Sequence, residues 1–497
     1  MPIERPHRPE SNIDVASLLV GLRREQLLPD AFPAEVEDAA RRAAAQSFEV
    51  GGAQNREDLT NRLFETLDPA ASTDLDQAFA IAEHGDDIVL SYALADIAAF
   101  APSGGVVEQE AWRRGVTVYA PDRRVSLYPT VLSQGAASLL PDVVRPAVVF
   151  DVAVNREGEP RLLSGRRAII HSRRKRAYET TEPRDLDPLI VELHRRASLA
   201  EASRGASKID WPEQEVVADP EMPGGFALEL RPLRPSEEIN AAMSLSVNMA
   251  IASKMLANLT GLFRNMPGPD PAKERTLRRM AAALDIAWSS SEELRTVISR
   301  LSANDQHHAK FLFEARRAGR GATYAMFDSA KPPFHSALAC VYAHATAPMR
   351  RLADRYVIEL AMALINEPTN GARRNSLVAT LGKMPEIMAA ASRRASAVEN
   401  GVLDLLEAVA LVGRVGERFS ATVLERSAGG FIVQLLDPPV RARAGSESSA
   451  TKPSTVLEPD IGGHVRVRLL DVDVGRRKVK FEIVSGADPV NSLENTN

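Results

Sequence analysis

The chain has 497 residues, 44% of them hydrophobic, and a net charge of −5 with an isoelectric point near 6.1. That length supports at least one large core and two or three domains. A single cysteine, Cys340, excludes an internal disulfide framework and a cysteine-rich zinc site, and no stretch is apolar for the length a bilayer span requires. The charged, proline-bearing N-terminus MPIERPHRPESNIDVASLLVGL has no signal-peptide core. With the lone cysteine it points to a reducing compartment, the cytoplasm.

Residues 1–52 are expected to form a short segment ending in a helix, because FPAEVEDAARRAAAQSF is rich in alanine and charge. From about 55 to 180, stretches such as DIVLSYALADIAAF and RPAVVFDVAVN alternate with turns marked by proline and glycine, which predicts a sheet-based half. From about 188 to 305 the periodicity becomes helical, and PSEEINAAMSLSVNMAIASKML runs long without a breaker. Further helices are predicted at 353–366 and 378–410. Beyond about 413, FSATVLE, GFIVQLL, HVRVRLL and KVKFEIV alternate with period two, placing Val465, Val467, Leu469, Val479, Phe481 and Ile483 on one face. This predicts a small β-barrel. Its opposite face carries Arg466, Arg468, Lys478 and Lys480, an electrostatic track for an RNA backbone. The polar run AGSESSATKPST reads as a mobile loop and residues 487–497 as a disordered tail.

The overall charge alone does not suggest a nucleic-acid partner. Basic residues nonetheless cluster at Arg113-Arg114, Arg173-Arg174-Lys175-Arg176, Arg316-Arg317 with Arg320, and Arg350-Arg351. A charged channel in an acidic protein requires such local clusters, although each alone also reads as solvated surface. The segment from Thr66 to Ala78 holds Asp68, Asp74 and Asp76 within nine residues. In an extended run Asp74 and Asp76 point to the same side, and the turn Pro69-Ala70-Ala71-Ser72 can fold Asp68 back towards them. Three anions this close raise one another's pKa unless a cation sits between them. Hard oxygen ligands suit Mg²⁺ or Mn²⁺, which suit phosphodiester chemistry. By spacing alone, an Asp-x-Asp loop is more often a solvated turn or a helix cap. His307-His308 and His344 lack zinc-site spacing, and His344 is expected to hydrogen-bond in the core near the arginine motif. No Walker loop, nucleophile elbow or dinucleotide fingerprint is present.

The acidic stretch resembles the signature of the RNB catalytic domain of the ribonuclease II family. The resemblance continues through Ala95-Asp96-Ile97, the run Arg114-Gly115-Val116-Thr117-Val118-Tyr119-Ala120-Pro121-Asp122, Arg145-Pro146, Ser236-Glu237-Glu238-Ile239-Asn240, and the run from Tyr342 to Arg351, YAHATAPMRR. It implies an α+β fold in which residues 53–410 form the RNB domain, a mixed sheet with helices around an RNA channel. Residues 411–486 then form an S1-like OB-fold barrel. The family's activity implies a monomeric, Mg²⁺-dependent 3′→5′ exoribonuclease that degrades single-stranded RNA processively to 5′-mononucleotides. Carried onto this chain, Asp68, Asp74 and Asp76 hold the metal, and Arg350 is the catalytic arginine. Tyr119 and Tyr178 stack or clamp bases, Glu237 or Glu238 meets the terminal ribose, and Arg351 and Arg114 contact RNA. Gln77 stands where many members have a fourth aspartate. Its amide oxygen can still ligate, so one Mg²⁺ is expected, with Mn²⁺ as the alternative ion, while the loss of a fourth carboxylate weakens the case for a second ion. The alternative is an RNA-binding protein that has lost efficient chemistry through Gln77. The N-terminal segment is also too short for the two cold-shock domains of larger relatives.

Overall fold

The computed structural model describes residues 13–51, 55–206, 213–219, 225–231, 233–268, 270–301, 321–367, 371–427, 430–435, 440–445 and 463–484, with isolated positions at 308, 311, 312, 315, 318, 437, 438 and 459. The expected tail, most of the polar 444–455 loop, His307 and the Arg316-Arg317-Arg320 cluster lie outside the described residues.

The mixed sheet expected between 55 and 180 closes on itself. β1 (Glu57–Asp68), β2 (Gln77–His84), β3 (Asp87–Ala95), β6 (Val144–Val154) and β7 (Pro160–Ala177) form a barrel in that order. Neighbours run antiparallel except β1 and β7, whose parallel pairing from Glu57↔Ala168 to Asp68↔Ala177 completes the ring. Closure removes the exposed edges that an open sheet leaves. It also places the ends of β1, β3 and β7 and the starts of β2 and β6 on one rim. Phe64, Leu67, Phe79, Leu90, Tyr92, Val148, Phe150 and Ile170 fill the interior and the layer beneath the helices.

Helices cover this barrel. α1 (Val15–Glu25) and α2 (Ala34–Ala44) precede it, α3 (Ile97–Phe100) and α4 (Val106–Arg114) follow β3, α5 (Pro188–Arg204) follows β7, and α6 (Pro235–Ala257) comes next. Met243, Val247 and Ile251 of α6 join the core with Val357, Leu360 and Ala361 of the Leu352–Asn366 helix. Gly165 lets that last helix approach: a Cβ there would lie 2.8 Å from both Ile365 and Phe150.

Two sequence expectations need correction. The helical periodicity assigned to 188–305 is interrupted by a hairpin, β8 (Glu213–Ala218) with β9 (Phe226–Arg231), and by β10 (Leu262–Asn265), which pairs with β11 (Thr323–Met326). These segments are short, and β10 finds its partner only at Thr323–Met326, beyond a sequence window. The helix expected at 378–410 is two helices, Ala372–Leu381 and Met384–Ala410, parted at Gly382-Lys383 with Pro385 in the first turn of the second. Helix α1 was not expected within the N-terminal segment; it packs Leu19 and Leu22 against Val398, Val402 and Leu405.

A second closed barrel ends the described chain: β12 (Arg418–Ser427), β13 (Gly430–Leu435), β14 (Arg441–Gly445), β16 (Lys478–Ile483) and β15 (His464–Asp473), in that order. Val467, Leu469 and Phe481 point inward with Phe419, Val433 and Val440. β14 had escaped the pattern, because RARAG carries no large apolar residue. Glu407 accepts the Arg441 backbone N–H at 2.8 Å, tying this barrel to the preceding helix.

Candidate active site at the barrel rim

The rim sets Asp68 and Asp76 at neighbouring strand ends, with Asp74 in the loop between them. Asp68 ends β1, and its carbonyl accepts the N–H of Tyr178, the residue just past β7, at 3.0 Å. Asp76 immediately precedes β2, and its carbonyl accepts the N–H of Ala95 at the end of β3 at 2.9 Å. Residues 69–75 bridge the gap as a loop held from outside. Lys175 Nζ donates to the carbonyls of Ala70 and Ser72, both at 2.6 Å. Ser138 accepts the Leu75 N–H at 2.9 Å and donates to the Thr73 carbonyl at 2.7 Å. Arg145 braces the Ser138 loop by donating to the carbonyls of Ser138 and Gly135. Sequence reasoning missed Lys175 and Ser138 as loop holders, since no local spacing ties them to an acidic turn more than 60 residues away.

The arginine motif meets this rim from the far side of the chain. Asp76, 1% exposed, accepts the Met349 N–H on Oδ1 at 2.7 Å and Arg350 Nε on Oδ2 at 2.6 Å. The terminal nitrogens of Arg350 make no hydrogen bond among the described residues, and 41% of the side chain stays exposed. The segment after α4 pairs with this turn: the Thr117 N–H donates to the Arg350 carbonyl at 2.9 Å, and the Leu352 N–H to the Gly115 carbonyl at 2.9 Å. Gly115 is required there, with φ of 76° and a Cβ position 2.5 Å from the Ala391 side chain. That pairing carries Tyr119, on β4 (Val118–Tyr119), to the site. Its partner on β5 (Arg124–Val125) is Arg124, whose guanidinium lies 5.2 Å from the Tyr119 ring centre and whose Nη1 is 2.7 Å from Asp74.

Burial sets the electrostatics. It pushes Asp68 up to about 7, with Arg350 and Lys175 opposing and Asp76 and Asp74 adding. Burial likewise raises Asp76 to about 6 against the pull of Arg350 and the Met349 N–H. Burial disfavours the Arg350 cation, but Asp76, Tyr119 and Asp74 more than offset this and raise its pKa. Tyr119 is pushed to about 12 and Tyr178 also upward, burial first in both.

The remaining predicted residues divide. Tyr178 sits beside Asp68, and its hydroxyl accepts Asn240 Nδ2 at 2.6 Å. Glu237 closes the first turn of α6 by accepting the Arg234 N–H at 2.8 Å, so one of the two glutamates is a helix cap; Glu238 is half-buried beside it. Arg351 is turned into the protein, donating from Nε and Nη2 to both oxygens of Asp354 at 2.6–3.1 Å. Arg114 is corrected from an RNA contact to a structural residue. It is 8% exposed, stacks 3.6 Å over Phe32, and spends its donors on Glu110, the Ser126 carbonyl and the Ala31 carbonyl. Gln77 is buried, opening β2 opposite Leu94. His344 hydrogen-bonds Tyr324 at 2.9 Å.

Among the described residues, no three His, Cys, Asp or Glu side chains converge closely enough to hold a metal ion together. The donor set is nonetheless one of hard oxygens suited to Mg²⁺, and Asp68 Oδ2 is buried without a hydrogen-bond partner. Arg350 and Arg124 occupy oxygens of Asp76 and Asp74.

A closed barrel whose rim gathers buried carboxylates, an arginine fork and an exposed tyrosine, followed by an OB-like barrel, defines a protein of two barrels with its charged site on the rim of the first. The chain belongs to the RNB family: the RNB domain matches residues 56–367, and the RNase II-type exonuclease C-terminal S1 domain matches residues 417–484. Ribonuclease R of Aquifex aeolicus is 25% identical, over 95% of this chain and 70% of that protein. Human exosome complex exonuclease RRP44 is 26% identical over 63% of this chain, which spans only 35% of its length. Mycoplasma genitalium RNase R, solved in complex with ribose-methylated single-stranded RNA, shares the fold with a TM-score of 0.81 at 20% identity, over 95% of this chain and 78% of that one. Yeast Ssd1, described as a pseudonuclease, shares it at 0.64 and 16% identity, over 87% and 56%. Among the described residues no helix is long and apolar enough to cross a membrane.

Proposed function

We propose that this protein is a Mg²⁺-dependent 3′→5′ exoribonuclease that hydrolyses single-stranded RNA processively to 5′-mononucleotides, acting as a cytoplasmic monomer. The observation that carries the reading is Arg350, anchored by Nε on buried Asp76 with its terminal nitrogens unspent. A planar fork fixed at one nitrogen presents the others to a phosphate and neutralises charge that builds on its oxygens. Tyr119 offers an exposed ring beside that fork, and base stacking on such a ring is sequence-tolerant. Asp68 Oδ2 is the readiest oxygen for a cation, and Asp74 becomes one as Arg124 exchanges towards RNA phosphate. A bound Mg²⁺ would supply a polarised phosphoryl oxygen and a water acidic enough to attack near neutral pH.

The rival reading is an RNA-binding protein without efficient chemistry; Ssd1, which shares the fold, is described as a pseudonuclease. Purified protein with 5′-labelled single-stranded RNA and Mg²⁺ separates the two. Stepwise shortening from the 3′ end, independent of inorganic phosphate, is expected. Binding without shortening at any Mg²⁺ or Mn²⁺ concentration overturns the exoribonuclease reading, and equal cleavage of a deoxy-substrate overturns its restriction to RNA.

A further inference from the structure

Helix α6 carries Ser236, Asn240, Ser244 and Asn248 at four-residue intervals, and that spacing stacks them along one face. Serine and asparagine are poor choices for a helix interior, and a buried amide is costly if it lacks partners. Each of the four makes a hydrogen bond to the candidate site, although Asn240 Oδ1 is buried without a partner. Ser236 Oγ donates to the Tyr178 carbonyl at 3.0 Å, and Asn240 Nδ2 to the Tyr178 hydroxyl at 2.6 Å. Ser244 Oγ shares a 2.8 Å hydrogen bond with Thr346 Oγ1. Asn248, 1% exposed, accepts the Ala345 N–H at 2.8 Å and donates to Thr346 Oγ1 at 3.2 Å and the Tyr342 hydroxyl at 3.1 Å.

The stripe therefore grips two separate pieces of the site. Its first half holds Tyr178. Its second half holds the segment that leads directly into the arginine turn, where Ala347 donates to Asp354 at 2.9 Å and Met349 to Asp76 at 2.7 Å. At about 1.5 Å of rise per residue, the eight-residue step from Asn240 to Asn248 sets a spacing of roughly 12 Å along a rigid element. Apolar neighbours Ile239, Met243, Val247 and Ile251 bury the same helix in the core, so the spacing cannot drift.

We infer that the α6 stripe is a positioning device that sets the distance between the Tyr178 clamp and Arg350, with Asn248 positioning the arginine turn for the chemical step and Asn240 positioning Tyr178 for RNA binding. The inference rests on the exoribonuclease reading and adds a division of labour to it. A general packing role for these residues predicts parallel losses at both positions; the positioning role predicts a split.

The test measures single-turnover cleavage rate and RNA dissociation constant for wild type, Asn248→Leu, Thr346→Val, Thr346→Ser and Asn240→Leu, with melting curves for each. Asn248→Leu and Thr346→Val are expected to slow cleavage by about 10- to 100-fold while RNA affinity stays within about threefold, since small displacements of a catalytic group are costly to rate. Thr346→Ser, which keeps the hydroxyl, is expected to restore the rate. Asn240→Leu is expected to weaken RNA binding more than it slows saturated cleavage. Thr346→Val preserves shape and carries the test if Asn248→Leu melts early. Wild-type rates in both arginine-side variants, or parallel loss of rate and affinity in all of them, overturn the inference while leaving the exoribonuclease reading standing. A wild-type protein that binds RNA without cutting it overturns that reading, and the inference falls with it.

Discussion

Arg350 Nε lies 2.6 Å from Asp76 Oδ2 while the Met349 N–H donates to Asp76 Oδ1 at 2.7 Å, so one buried carboxylate holds both the side chain and the backbone of the arginine turn. Residues 273 positions apart in sequence are thereby locked together. Asp76→Asn keeps an oxygen for Met349 but loses the charge that anchors the guanidinium. Cleavage is expected to fall by about 10²–10³-fold, the scale of removing one preorganised charge-stabilising contact. RNA affinity should stay within a few-fold, because Tyr119 and Tyr178 are untouched. Equal losses of affinity and rate would assign Asp76 a structural role.

The raised carboxylates give the site a pH signature. Burial holds Asp68 at about 7 and Asp76 at about 6, both above the ordinary aspartate value of 3.8. Below that ordinary value, folded and unfolded chains both keep these protons. Between it and pH 7 the unfolded chain releases them first, so this contribution to stability is lost as pH rises through the window. The metal-free protein is therefore expected to melt at a lower temperature at pH 8 than at pH 5.5. A divalent ion needs the deprotonated forms, so Mn²⁺ affinity measured by calorimetry should rise across pH 5.5–7.5 and then level. A flat affinity over that range would mean that these aspartates are not its ligands.

Arg124 bridges two parts of the site, with Nη1 2.7 Å from Asp74 and its guanidinium 5.2 Å from the Tyr119 ring centre. Removing it frees Asp74 for a cation and strips Tyr119 of its support. Arg124→Ala should lower the Mg²⁺ concentration needed for half-maximal rate and raise KM for RNA. A Mg²⁺ requirement that rises instead would show Arg124 helping to hold the ion.

The strand regions and the S1-like barrel were legible because alternation is local: Val467, Leu469 and Phe481 face inward as their spacing requires. Asp68 and Asp76 were legible as a pair through motif resemblance. What spacing could not reveal is contact made by closure. The parallel β1–β7 seam brings Tyr178 to Asp68, and the pairing of Gly115-Val116-Thr117 with Arg350-Arg351-Leu352 brings Tyr119 to the arginine turn. Arg114 misled for the opposite reason. Adjacent arginines look alike in sequence, but in helix α4 Arg113 faces outward while Arg114 faces the core, 100° further round.

Arg114 therefore yields a stability prediction. Its Nε donates to buried Glu110 at 2.8 Å, and its terminal nitrogens donate to the carbonyls of Ser126 and Ala31. Arg114→Ala leaves Glu110 with only Arg113 as counter-charge and two carbonyls without donors. Breaking a buried pair from one side costs about 3–5 kcal/mol, and the remaining Arg113 contact places the loss near the lower end. Denaturant unfolding should show that drop with RNA affinity per folded molecule unchanged. A stable variant with weakened RNA binding would return Arg114 to the RNA-contacting set.

The S1-like barrel yields a prediction about salt. On its outward face Arg468 is paired with Glu482, and Lys480 lies 3.9 Å from Asp471. Arg466 and Lys478 carry no ion pair among the described residues, so the expected four-residue track reduces to these two as its uncompensated charges. Each phosphate contact removed from a single strand lowers the slope of log affinity against log salt by about 0.7. Replacing both by alanine should thus weaken RNA binding most at low salt and flatten the slope by about 1.4, two contacts' worth. Cleavage of a substrate too short to reach the S1-like barrel should be unaffected, because the rim carboxylates and Arg350 belong to the other barrel. An unchanged salt slope would move the backbone-tracking role to the exposed basic residues Arg173 and Arg174 of β7, in the first barrel.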